Sequence, residues 1–156
     1  MRRICNVTES CVDNFSDNSF IFISPTGQRQ AIRYRIEPVA GFQTLPDASA
    51  ATQPPNFLFD ELKTRLAKAP VEFRLKAQLA SPTDPTHDAT IVWPDTRPTV
   101  DLGLIRLTNV DPESAQTERR LMFDPTHLID GIELSNDPLP AFRAQAYSIS
   151  IAHRTK

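Results

Sequence analysis

The chain has 156 residues, a formal net charge of −2 and a pI near 5.9. That length can bury one substantial core, while the charge gives no reason to expect nucleic acid or an anionic membrane surface as a main partner. No apolar stretch approaches the ~18 residues a membrane span needs. The sequence names no compartment, and a soluble cytoplasmic or periplasmic protein fits equally.

Residues 1–18 are polar and lack a clean period, so they read as an irregular lead-in. Met1-Arg2-Arg3-Ile4-Cys5 has two arginines but no following hydrophobic run, unlike a secretory signal. Cys5 and Cys11 match no metal-site spacing and read as free thiols. Ser19–Ser24 is a strand-type run, Pro25-Thr26-Gly27-Gln28 a turn, and Ala31–Val39 an alternating strand, which together predict a hairpin.

Residues 40–55 form a connection rich in Pro, Ala and Thr, and Asn56–Ala69 then reads as a helix with Phe59, Leu62 and Leu66 on one face. Val71–Leu79 alternates strictly, with Val71, Phe73, Leu75, Ala77 and Leu79 inward. A polar, proline-rich loop from Ser81 to Pro98 holds the only tryptophan, Trp93, and another strand runs from about Val100 to Val110. Asp111-Pro112-Glu113 opens at most a short helix. After a turn-rich stretch from Phe123 to Pro138, Leu139–Ala152 is helical by pattern. Leu139, Phe142, Ala146 and Ile149 share one side of it, and Asn136 or Asp137 is placed to cap it. With 14 prolines against 4 glycines, ordered connections between short elements are expected. The fold class is α+β, with four antiparallel strands and two substantial helices. Four strands make about half of a typical closed barrel.

On the last helix Arg143, Tyr147 and Arg154 are spaced by four and seven residues and fall on one stripe. An arginine one turn before a tyrosine can stabilise a phenolate by charge and hydrogen bonding. Tyrosinate is one of the known axial ligands of haem iron. The spacing alone is common by chance, so the surrounding sequence carries the argument.

The stretch Phe123-Asp124-Pro125, Leu128, Gly131-Ile132, Ser135-Asn136-Asp137 and Arg143-Ala144-Gln145-Ala146-Tyr147 resembles the proximal haem segment of catalases. Trp93-Pro94, Pro98, Leu102-Gly103 and Leu107 resemble that family's Trp-Pro wrapping loop and the strand after it. Arg33-Tyr34-Arg35-Ile36-Glu37-Pro38, Leu66–Phe73 and Asp84-Pro85-Thr86 are closer still to the short catalase-related peroxidases. The resemblance covers residues 19–156 and implies the C-terminal part of a catalase-like domain: about half of an antiparallel barrel, a wrapping loop and a proximal haem helix.

It further implies haem b as cofactor, Tyr147 as the iron ligand, Arg143 as its charge partner, Arg154 on a propionate, and Phe123 among the cofactor-binding residues. Hydrogen peroxide or an organic hydroperoxide is the implied substrate. The family's distal histidine, in a Val-Val-His-Ala pattern, has no counterpart here: His87, His127 and His153 stand in other contexts, so no catalytic acid–base residue is assigned. Half a barrel also exposes sheet edges and an apolar inner face, leaving Val71, Phe73 and Leu75 with poor cover. A separately supplied N-terminal half, a homo-oligomer, or a truncated or frameshifted reading frame would each fit that, and the chain alone is expected to lack full activity. Two other readings stay open: hydroperoxide rearrangement of the allene oxide synthase type, and a non-catalytic β-rich module that binds a ligand or partner.

Overall fold

The computed structural model describes residues 14–41 and 45–155. Cys5 and Cys11, and with them most of the expected lead-in, lie outside the described residues. The strands are β1 (Asn14–Phe15), β2 (Phe20–Ile23), β3 (Arg29–Pro38), β4 (Val71–Leu79), β5 (Thr99–Leu107) and β6 (Ile132–Leu134). The helices are α1 (Asp47–Ala50), α2 (Phe57–Leu66), α3 (Ser114–Arg120) and α4 (Leu139–Arg154). The sheet order is β5-β4-β3-β2-β6, with β1 paired to β3. The four strands read from the sequence are β2 to β5. The two missed, β1 and β6, have two and three residues, too few for an alternating pattern to register.

The β2–β3 hairpin closes through Ser24, whose backbone exchanges bonds with Gln28 and Gly27 while its hydroxyl accepts the Gln28 N–H. Gly27 sits at φ 80°, a left-handed conformation that only a residue without a Cβ adopts at no cost. Phe20 pairs with Ile32 across the hairpin and with Leu134 of β6 on its other side.

Contacts divide the described chain into two compact units. The first comprises the described part of Met1–Phe15 with Arg35–Lys76 and Asp101–Val110. Its interior holds Val71 and Phe73, and ion pairs join Lys76 to Glu37 and Arg106 to Glu72. Half a barrel predicts poor cover for Val71, Phe73 and Leu75, yet Val71 and Phe73 are buried and Leu75 is half-buried. Leu102 and Leu104 on β5 are exposed instead.

The second unit comprises Ser16–Tyr34, Ala77–Val100 and Asp111–Lys156, the last residue lying outside the described set. Its core is built on Ile32, 0% exposed, Trp93, 2% exposed, Ala77 and Pro140. A buried side chain of the Ile32 kind contributes about 1.5–3 kcal/mol. Helix α4 is inverted relative to an ordinary surface helix. The apolar side formed by Leu139, Phe142 and Ile149 is exposed, with Phe142 at 67% and Ile149 at 61%. Pro140 is buried, and Arg143, Tyr147 and Ile151 on the opposite side are partly covered.

Candidate functional site

The site grows out of strand register. Leu134 of β6 stands opposite Phe20 of β2 in an antiparallel pair, so the chain leaving β6 runs back past the residues just before β2. This brings Asp137 to Asn18, whose Nδ2 donates to Asp137 Oδ2 at 2.9 Å. The other carboxylate oxygen of Asp137 accepts the Leu139 N–H at 2.8 Å. Asp137 therefore caps α4, satisfying one of the donors that every helix start leaves open, and ties that end to the sheet. Both Asn18 and Asp137 are buried.

One turn into α4, Arg143 reaches in two directions. Its Nη1 donates to Asn18 Oδ1 at 3.2 Å. Its Nε and Nη2 donate to the Tyr147 Oη at 3.0 and 2.6 Å, and the guanidinium carbon lies 5.4 Å from the Tyr147 ring centre. The phenolic oxygen thus receives two N–H groups of one cation. Charge-assisted donors of this kind stabilise negative charge on the oxygen they reach. The expected pairing of Arg143 with Tyr147 is present, and Asn18, which sequence reasoning placed in the lead-in, is the residue that orients it. No local pattern marks Asn18, because its partners are 119 and 125 positions away.

Arg154 shares the helix face of Tyr147 but points elsewhere. Its Nη1 and Nη2 donate to the backbone carbonyls of Glu118 and Leu121 at 3.1 and 3.0 Å, satisfying acceptors at the C-terminal end of α3. Phe123 is 76% exposed. His87, His127 and His153 are all exposed, and among the described residues no group of three His, Cys, Asp or Glu side chains could hold a metal ion.

A buried arginine, Arg33, stands on β3. Ser19 falls opposite Arg33 when the β2–β3 register is continued by one residue, and Arg33 Nε donates to Ser19 Oγ at 3.2 Å. Arg33 Nη1 and Nη2 donate to the carbonyls of Ile91 and Asp88, and the guanidinium lies 4.4 Å over the Trp93 ring. Burial pushes this cation's pKa down, opposed by the carboxylates of Asp17, Asp137, Asp84 and Asp88. The same loop carries a fork of Arg97 onto both oxygens of Asp84 at 2.8 Å. Arg97 holds the Asp84 carboxyl below the usual carboxylate range, with a further bond from the Ser81 N–H. Trp93 Nε1 donates to Pro85 O at 2.9 Å, so the buried indole is satisfied.

The family model for catalase matches residues 6–156 of the chain. The chain is 37% identical over 138 residues to a catalase-related peroxidase of Mycolicibacterium paratuberculosis, covering 88% of this chain and 44% of that protein. It is 34% identical over 142 residues to a catalase-related peroxidase of Synechococcus elongatus, covering 91% of this chain and 42% of that protein. It therefore spans less than half the length of these relatives. Among solved structures, a fungal catalase superposes with a TM-score of 0.82 at 21% identity, over 95% of this chain and 32% of that one. A bacterial catalase superposes with a TM-score of 0.81 at 22% identity, over 96% of this chain and 31% of that one.

Proposed function

The chain belongs to the catalase family, and from that premise we propose that it forms the tyrosine side of a haem site in an enzyme acting on hydrogen peroxide or organic hydroperoxides. The observation that carries this reading is the double donation from Arg143 to the Tyr147 oxygen. An oxygen held this way suits a hard ferric ion, which the donor chemistry of tyrosinate also favours. The residues present therefore fit a ferric haem, and the family resemblance makes haem b the one proposed. Tyr147 is the iron ligand and Arg143 holds negative charge on its oxygen. Arg154 serves a propionate by exchanging its present backbone acceptors for a carboxylate, a stronger partner for a guanidinium. Phe123 offers its exposed ring to the macrocycle. When bound, the haem supplies the redox chemistry with peroxide.

No histidine of this chain is assigned the acid–base work on the opposite haem face. That work is assigned to an N-terminal half supplied separately. Without it, turnover falls by about 10²–10⁴-fold. The exposed apolar side chains of β5 and α4 support the docking of such a partner.

Hemin titration tests the reading. The purified chain is expected to give a Soret band and a high-spin ferric spectrum, both abolished by Tyr147→Phe. Absence of the signal in the native chain, or its persistence in Tyr147→Phe, overturns the proposed ligation.

A further inference from the structure

Two arginine side chains grip consecutive residues of one bend. Arg143 takes the Asn18 carboxamide, and Arg33 takes the Ser19 hydroxyl. The bend is fixed internally as well, since Ser16 Oγ donates to Asn18 O at 2.7 Å. Asn18 and Ser19 are both buried, so neither can exchange these partners for water without exposing its surroundings. Arg33 is itself 6% exposed, and its other donors close on the loop carbonyls of Asp88 and Ile91. A continuous path of bonded groups therefore runs from the loop, through Arg33, Ser19 and Asn18, to Arg143 and the Tyr147 oxygen.

We propose that Arg33 is a positioning residue for the Arg143–Tyr147 pair, coupling the order of the Asp84–Trp93 loop to the hydrogen bonding of the Tyr147 phenol. A buried guanidinium in a low-dielectric setting is held by several donors at once, and its planar fork has one orientation that serves Ser19 and both loop carbonyls. Loosening it frees the bend. Asn18 then holds Arg143 less firmly, and the two bonds to Tyr147 lengthen or break. The inference bears on the haem site proposed above, but its readout is the phenol of the unloaded chain. Failure here leaves tyrosinate ligation standing, and failure of hemin binding leaves this coupling standing.

The test uses the full chain with ¹³C-labelled tyrosine. Its two tyrosines give two Cζ resonances, assigned with Tyr147→Phe. Arg33→Lys keeps a positive charge and loses the fork. It is expected to move the Tyr147 resonance toward the position of free tyrosine and to speed amide hydrogen exchange in the loop by about a hundredfold, since two bonds from a charged donor are lost. Ser19→Ala removes only the link to the bend. It is expected to move the Tyr147 resonance while leaving loop exchange near the native rate, a split that a merely structural role does not produce. The inference is overturned if either folded variant leaves the Tyr147 resonance in place, or if Ser19→Ala alters loop exchange as much as Arg33→Lys does.

Discussion

Asn18 and Arg143 are 125 positions apart in sequence, and the Arg143 Nη1–H is bonded to the Asn18 carboxamide oxygen at 3.2 Å. The same carboxamide donates to Asp137, so one neutral side chain satisfies a buried carboxylate and a guanidinium together. Asn18→Leu keeps the volume and leaves both partners short of a bond. A loss of about 2 kcal/mol is expected, read as a lower urea midpoint by Trp93 fluorescence with an unchanged slope. An unchanged midpoint would show that water replaces the carboxamide without cost.

Arg143→Lys separates charge from geometry. Lysine keeps the cation but offers a point charge in place of two parallel donors. Hemin affinity is expected to fall by about tenfold, the equivalent of one charge-assisted bond, while the Soret band of the loaded variant survives. Equal affinity in titration would mean that charge alone is enough at Tyr147.

The Asp84–Arg97 pair sets a pH dependence. The folded chain holds Asp84 below the usual carboxylate range, so below about pH 4 the unfolded chain binds the extra proton. The stabilisation is complete above that pH and is lost as pH falls through the depressed folded value. Asp84→Asn is expected to cost about 2 kcal/mol at neutral pH and to flatten the stability curve on the acid side. Asp88, Asp111 and Asp124 are shifted the same way by their neighbouring hydroxyls and amides, so some acid slope remains. Urea melts between pH 3 and 7 measure the difference, and superimposable curves for the two chains would refute it.

Gly131 stands at φ 85° in the turn before β6, where its carbonyl accepts the Ile23 N–H at 2.8 Å. An added Cβ would lie 3.5 Å from Ile23 O, an ordinary contact, so the cost of Gly131→Ala is conformational. About 1–2 kcal/mol is expected, measured by thermal melting. A native-like melting temperature would mean that the turn relaxes to another conformation.

The long elements were legible because their periodicity is local: the alternation of Val71–Leu79 and the helical spacing after Pro138 appear in any short window. Arg143 and Tyr147 were legible through the segment from Phe123 onward that leads into them, since a one-turn spacing alone is common by chance. Asn18, Ser19 and Arg33 were not. Each gains its role from strand register, which joins residues far apart in sequence, and a buried arginine on an alternating strand looks like a solvent-facing one until its partners are known. The direction of α4 was also hidden. Its pattern shows an apolar side, but not that this side is left exposed while the Arg143–Tyr147 side turns inward.

That inverted helix has a thermodynamic consequence. With Phe142 and Ile149 exposed, whatever covers them binds the folded chain and not the unfolded one. The free energy of folding is then not a constant of the sequence but varies with the logarithm of the concentration of the covering molecule. In the presence of a docked partner of the kind proposed above, a melting temperature for this chain has meaning only beside the partner's concentration.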